Sequence, residues 1–272
     1  MGQLQRGTKG KMAEARLTPE STDIFASLRH RKLSVIVPVF NEEARIGSNL
    51  ALLISEIEPF FEDYEILVVN DGSTDRTHDS LSKVSHPRVR ALKLERNQGK
   101  GSAVREGFRN ASGDYVLFID GGMELHPREI RIFLGLMQLY SADVVLGSKR
   151  HPQSQVQYPW IRRLLSAIYQ RLIQRLFDLD VTDTQVGLKL FRRAVVDAIL
   201  PDLRVDRYGF DLEILALAKR RGFQLFLEAP IQLDYFSFNS RGVVKELGHV
   251  IRVGFTVLSD TLKLYRRLRS LK

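Results

Sequence analysis

Five short apolar runs, at 33–39, 65–70, 88–94, 115–120 and 142–147, constrain this chain more than any other feature. Most are rich in Val, Ile and Leu, the texture of strands buried on both faces of a parallel sheet. The third alternates instead (Arg88-Val89-Arg90-Ala91-Leu92-Lys93-Leu94). Helical patterns at 42–60, 75–84, 100–111 and 127–140 separate them. Strand and helix alternating at this spacing predict right-handed βαβ units and a mostly parallel central sheet flanked by helices, an α/β fold. Ligands in such sheets bind at the carboxyl ends of the strands, so polar residues that close strands are the first candidates for function.

The second half of the chain is more mixed. Residues 158–177 carry a helical stripe of Ile161, Leu164, Leu165, Ile168, Leu172 and Leu176, decorated by Arg162, Arg163, Arg171 and Arg175. A helix is expected at 208–221 and a strand near 223–235. The cleanest amphipathic helix is 243–269, with Val244, Leu247, Ile251, Phe255, Leu258, Leu262, Tyr265 and Leu268 on one stripe.

The charge of +9 is confined to the ends. Residues 1–32 carry seven Lys/Arg against three Asp/Glu, and 236–272 carry eight against two, which leaves the middle at −1. A basic nucleic-acid-binding core is thereby disfavoured, and anionic partners met by the tails are favoured. The expected organisation is a mobile basic arm over 1–31, one α/β domain over 32–235 and a basic amphipathic helix over 236–272. With no cysteine there is neither disulfide nor thiolate metal site. The first residues lack the apolar core of a signal peptide and the Ser or Thr that a myristoylation site needs at position 6. No run of about 18 apolar residues is present to span a bilayer.

Six polar constellations stand out. Asn70-Asp71-Gly72-Ser73-Thr74-Asp75 follows the second strand: Asp71 can accept from a base or ribose hydroxyl, and Ser73 or Asp75 can cap the next helix. Pro38-Val39-Phe40-Asn41-Glu42-Glu43 closes the first strand. Asn97-Gln98-Gly99-Lys100-Gly101 can bring backbone N–H groups and Lys100 to a phosphate, although it is neither a Walker sequence nor a complete GxGxxG; a plain Gly-rich turn into a helix explains it equally well. Asp120-Gly121-Gly122-Met123-Glu124 closes the fourth strand, where Asp120 and Glu124 are the nearby carboxylates for a metal-diphosphate and His126 reads as a capping or surface residue rather than a ligand. Asp183 to Arg192 and Arg207 to Leu215 complete the set; Asp211 and Glu213 there suit either a helix cap or a site.

Taken in order over about 33–235, these segments resemble the family 2 inverting glycosyltransferases of GT-A fold, and among them the polyprenyl-phosphate sugar transferases that make dolichyl-phosphate glucose and mannose. Asp183-Thr184-Gln185-Val186-Gly187-Leu188-Lys189 leans toward the glucosyl branch. The absence of a Gln-x-x-Arg-Trp segment separates the chain from processive polysaccharide synthases. The resemblance implies that Pro38, Glu42, Asp71, Asp75 and Lys100 line a nucleotide pocket. It also implies that Asp120 faces the diphosphate and a Mg²⁺ or Mn²⁺ ion with Glu124, and that Asp183 and Gln185 lie near the sugar. Lys149, Arg162, Ser166 and Arg241 would hold an acceptor phosphate. One departure bears on the chemistry: the family's Asp-x-Asp reads Asp120-Gly121-Gly122, so the second carboxylate is missing. Glu124 substitutes in part, or metal affinity and activity fall.

The implied reaction moves a hexose, from UDP-glucose in preference to GDP-mannose, to a polyprenyl phosphate with inversion. A lipid acceptor accounts for the charged ends, because a basic amphipathic helix lies in the interface of an anionic membrane. The expected placement is cytoplasmic, peripheral on the inner face of the cell membrane. In the alternative, 243–269 packs on its own domain or on a second chain, as in a homo-oligomer. A soluble transferase with a non-lipid acceptor, and a degenerate one that binds without turnover, keep the same fold.

Overall fold

The computed structural model of the chain describes residues 25–156, 160–207, 209–233 and 243–270, with the backbone alone described along 160–165 and 243–256. Seven strands form the main sheet: β1 (Lys32–Val39), β2 (Asp63–Asn70), β3 (Val89–Lys93), β4 (Tyr115–Ile119), β5 (Val144–Ser148), β7 (Leu188–Arg192) and β8 (Phe226–Pro230). Their order is β3-β2-β1-β4-β7-β5-β8. All neighbours run parallel except β7, which is antiparallel to both β4 and β5. The mostly parallel α/β architecture expected from the alternating pattern is thus present.

The central strands β1, β2, β4, β5 and β7 bury side chains that alternate between the two faces of the sheet. On one face Val35, Val37 and Val39 of β1 meet helices α2 (Ile46–Ile57) and α5 (Ile130–Tyr140). On the other, Ile36, Leu67 and Phe118 meet α4 (Lys100–Asn110), α7 (Arg193–Ile199) and α8 (Phe210–Arg220). Helix α3 (Thr77–Ser82) bridges β2 and β3. The short α1 (Ala26–Arg29) buries Leu28, and the Phe25 ring packs at a tilt against that of Phe60, centroids 5.0 Å apart, so packing begins within the segment expected as an arm; residues 1–24 lie outside the described residues.

Strand β7 is absent from the expected strand set. Lys189 interrupts its apolar run Leu188-Lys189-Leu190-Phe191, yet Lys189 is fully buried, because it donates to the Val186 carbonyl at 2.6 Å and pairs with Asp211. A buried ammonium is tolerated only when so compensated. The expected strand at 223–235 is divided at Pro230, which cannot donate to a ladder. Beyond it β9 (Gln232–Leu233) leaves the main sheet and pairs with β6 (Gln155–Val156).

Two long helices cover the second face. α6 (Trp160–Phe177) and α9 (Val243–Ser270) meet where Tyr169 and Thr261 share a 2.7 Å hydrogen bond and Phe177 abuts Tyr265 edge-on. Leu264 and Leu268 of α9 are buried in the core. The C-terminal half of α9 therefore packs on its own domain, as the alternative reading of this helix expects. No helix among the described residues is long and apolar enough to cross a membrane.

One buried carboxylate ties these parts together. Glu213 in the first turn of α8 accepts from the backbone N–H groups of Arg204 (2.9 Å) and Val205 (2.8 Å) and pairs with Arg267 of α9. It acts as a brace between elements, neither of the two roles, helix cap or site residue, that its position suits. Removing one partner of a buried pair typically costs about 3–5 kcal/mol. Glu213→Ala is expected to lose stability on this scale in urea denaturation; an unchanged midpoint would contradict the role.

Candidate active site

The carboxyl ends of β1, β2 and β4 open onto a cleft of about 680 Å³, within the usual size of small-molecule sites. Pro38, Glu42, Asp71, Lys100, Asp120, Glu124 and Gln185 all line it. Asp75, Asp183, Lys149 and Ser166 are not on its wall. Arg162 is described in backbone only, and Arg241 lies outside the described residues.

The loops around the cleft are held by their own carboxylates. Asp71 is almost fully buried and accepts from the N–H groups of Gln98 (2.8 Å) and Gly99 (2.9 Å). Further along, the amides of Gly101 and Ser102 donate to the Asp206 carbonyl at 2.8 and 3.3 Å, and that of Ser102 also to the Gly99 carbonyl at 3.0 Å. Four amides of the Gly-rich segment, those of Gln98, Gly99, Gly101 and Ser102, are therefore engaged within the protein. What the segment delivers is Lys100, carried on the first turn of α4 after Gly99 at φ +107°. Asp75 serves the second loop: it accepts from Thr77 N–H (2.9 Å) and from Glu43 N–H (3.2 Å), while Thr77 Oγ1 accepts from Glu42 N–H. Asp75 thus caps α3 and fastens it to the end of β1. Ser73 Oγ instead accepts from Asn41 N–H. His126 accepts from Arg128 N–H, the cap expected of it.

At the floor of the cleft Asp120 pairs with Lys100, whose ammonium lies 5.3 Å from the Phe118 ring and 5.9 Å from that of Phe210. Asp120 N–H donates to the Gly187 carbonyl at 3.0 Å, where β7 begins beside the end of β4. A Cβ at 187 would collide with the Asp120 carboxylate, so any side chain there would displace it. Beside this pair stands Asp211, which also lines the cleft and pairs with Lys189. Burial pushes the Asp211 carboxyl up, against the pull of Lys189 and then Lys100.

The donor set suits a hard divalent cation in part. Apart from its ion pair with Lys100, Asp120 Oδ1 is buried without a hydrogen-bond partner, and Glu124 stands on the same wall. Such ions take oxygen ligands and commonly complete their shell with phosphate and water. No cluster of three or more acidic, His or Cys side chains able to hold a metal occurs among the described residues. Gly122 is where a further carboxylate would stand. A Cβ added there meets only Glu42 Oε1, at 3.5 Å, so space for an Asp remains.

Beyond the cleft, Asp183 joins two regions. Its carboxylate accepts from Gln185 N–H (3.2 Å) and from Lys149 N–H (3.1 Å), and it pairs with the Lys149 ammonium at 3.5 Å. Arg150 Nη2 donates to Ser166 Oγ at 2.8 Å. Arg150 and the cleft residue Arg207 were not among the expected site residues. Their signal was adjacency: Arg150 follows Lys149, and Arg207 opens the segment that contains Asp211.

Glu42 gives the site a pH signature. Burial raises its carboxyl pKa, Arg45 lowers it, and Asp75 and Glu124 raise it further. The folded state therefore holds this proton more tightly than the unfolded chain, and stability falls as pH rises from the ordinary carboxylate range through the raised value. In metal-free buffer Glu42→Gln is expected to raise the thermal midpoint at pH 7, with the difference vanishing below about pH 4. A lower midpoint for the variant at pH 7 would refute this.

Known proteins are similar to this chain in sequence and in fold. The model of glycosyl transferase family 2 matches residues 34–200. The dolichyl-phosphate beta-glucosyltransferase of Saccharomyces cerevisiae is 34% identical over 220 residues, covering 73% of this chain and 66% of its own. The human enzyme of the same name is 32% identical over 218 residues, covering 74% and 65%. The chain thus spans just under two thirds of the length of these relatives. Among solved structures, glucosyl-3-phosphoglycerate synthase from Mycobacterium tuberculosis, in complex with Mn²⁺, uridine diphosphate and phosphoglyceric acid, superposes with a TM-score of 0.67 over 92% of this chain and 84% of its own, at 21% identity. With a family match over most of its α/β domain and relatives above 30% identity, the chain belongs to glycosyl transferase family 2.

Proposed function

We propose that this chain is an inverting glycosyltransferase that moves glucose from UDP-glucose to a polyprenyl phosphate at a membrane surface. The observation that carries the reading is the Lys100–Asp120 pair at the carboxyl end of β4, in a cleft that also gathers Pro38, Glu42, Asp71, Glu124 and Gln185. Pro38, Glu42 and Asp71 are assigned to the nucleotide, with Asp75 acting through the loop it fastens. Likeness to dolichyl-phosphate beta-glucosyltransferases supports the glucosyl donor and the lipid acceptor.

The acceptor phosphate is already largely dianionic at pH 7, with a second pKa of about 6. A strong general base is therefore unnecessary. A phosphate oxygen attacks the anomeric carbon from the side opposite the diphosphate, the bond to the diphosphate breaks, and its electron pair leaves with the nucleotide. The protein's tasks are to align two anions and to stabilise the charge that develops on the leaving group. Lys100 supplies positive charge at the cleft floor, and Gln185, held by Asp183, orients the sugar. Lys149 and Arg150, beside Ser166 of α6, form the basic group assigned to the acceptor phosphate together with Arg162 and Arg241. A bound Mg²⁺ or Mn²⁺, held by Asp120 and Glu124, would add Lewis-acid charge against the diphosphate.

The membrane reading draws on α6 and α9. Ile168 (56% exposed) and Leu262 (39% exposed) are apolar and open to solvent on these two neighbouring helices, and Val257 of α9 reaches the cleft wall. Arg171 and Arg175 of α6 and Lys263 and Arg266 of α9 lie on the same two helices, the composition of an interfacial helix pair. A peripheral site on the cytoplasmic face follows from this reading. Ile168→Ser/Leu262→Ser is expected to reduce flotation with anionic vesicles severalfold while leaving the thermal midpoint unchanged; equal flotation would remove the membrane contact from these residues.

The deciding experiment is a donor screen by mass spectrometry with a short polyprenyl phosphate and Mg²⁺ or Mn²⁺. UDP-glucose should give a product of inverted configuration, and a retained configuration would sink the mechanism. Asp120→Asn is expected to lower turnover on the order of a hundredfold or more. Gly122→Asp, for which the cleft has room, tests the missing carboxylate: a large gain marks the natural chain as a weakened catalyst, whereas little change marks Glu124 and Lys100 as sufficient.

A further inference from the structure

A second basic groove lies on the flank of the domain, between α4 and the segment 200–207. Arg105, Arg109 and Arg204 converge on it, with Asp206 as the one acidic side chain on its wall. Arg105 and Arg109 stand five and nine residues into α4 beyond Lys100, roughly 8 and 14 Å along the helix axis, which separates the groove from the cleft.

Its arginines are not spent. Arg105 gives Nη2 to Asp206, but its Nη1 is buried and has no hydrogen-bond partner among the described residues. Such unsatisfied buried groups are rare in folded proteins, but this atom is closed to solvent, and the guanidinium groups open to the groove are those of Arg109 and Arg204. Arg204 donates Nη1 to the Leu203 carbonyl and has no ion pair among the described residues. Arg109 is exposed, and its one ion pair among the described residues is with Glu106, its neighbour on the same helix face. Three guanidinium groups around one concavity, two of them open to it, match an anion with several oxygens and more than one charge, the chemistry of a phosphate group.

The groove also reaches the cleft through one residue. The Asp206 side chain is held by Arg105, while its backbone carbonyl accepts from Gly101 N–H at 2.8 Å at the start of α4. The next residue, Arg207, lines the cleft itself. An occupant of the groove is thus three covalent and hydrogen-bonded steps from the turn that carries Lys100.

We propose that this groove is a second anion site, for a phosphate group on a free molecule or on a lipid head, and that Asp206 couples its occupancy to the Gly99–Gly101 turn. The proposal does not depend on what the cleft binds. The test uses the full chain and the double variant R109Q/R204Q, which changes two exposed side chains, with K83Q/K93Q as a variant of equal charge loss elsewhere; thermal midpoints confirm that all are folded.

Inorganic phosphate is titrated calorimetrically at low salt. Saturable binding by the wild type and by K83Q/K93Q, weakened at least about tenfold in R109Q/R204Q, supports a free phosphate ligand. If free phosphate does not bind, flotation with phosphatidylcholine vesicles with and without phosphatidic acid is compared. Loss of the phosphatidic-acid-dependent fraction in R109Q/R204Q alone supports a lipid head. No binding that depends on Arg109 and Arg204 in either arm overturns the site. The amide resonance of Gly101 should shift on saturation with whichever probe binds, and an unmoved resonance overturns the coupling.

Discussion

The hydrogen bond from Asp120 N–H to the Gly187 carbonyl is the contact on which the cleft depends. It exists because β7 enters the sheet backwards, so that its first residues meet the last residue of β4. A purely parallel sheet would place the start of every strand at the far edge, away from the ligand end. The reversed strand instead brings the turn containing Gln185 and Gly187 to the same edge as Pro38, Asp71 and Asp120. Glycine at 187 then lets the Asp120 carboxylate sit against the backbone, directed at Lys100.

That arrangement gathers charge in a place that also buries apolar groups. Lys100 and Lys189 both lie over the Phe118 ring, at 5.3 and 5.5 Å, and each pairs with a separate aspartate. The aromatic face favours the cations, and the aspartates compensate them. The two pairs differ in their burial: Lys189 is wholly enclosed, whereas Lys100 remains partly open to the cleft. The enclosed pair anchors β7 to α8. The open pair keeps a positive charge within reach of whatever enters.

Much of this was legible in the order of residues. The first five strands follow from runs of branched apolar residues, and the helices between them follow from apolar periodicity. β7 was hidden because a lysine in its middle breaks the apolar run, and only the position of Asp211, 22 residues later, explains that lysine. Pairings across such separations leave no local periodic trace. The same limit applies to the loop carboxylates. Asp71 and Asp75 look alike in sequence, each acidic and each after a strand. In the fold Asp71 holds two amides and still faces the cleft, whereas Asp75 turns away to join α3 to β1.

The brace around Glu213 has a consequence for how the chain is made. Its carboxylate orders Arg204 and Val205, which lead into the segment that backs the Gly99–Gly101 turn, but its charged partner Arg267 lies 54 residues further on. At a synthesis rate of about 5–20 residues per second, that partner emerges about 3 to 11 s later. During this interval the sheet can already form, while one wall of the cleft still lacks the cation that secures it. The ion pair that completes this brace therefore forms only once α9 has been translated and docked, after the strands of the sheet have been made.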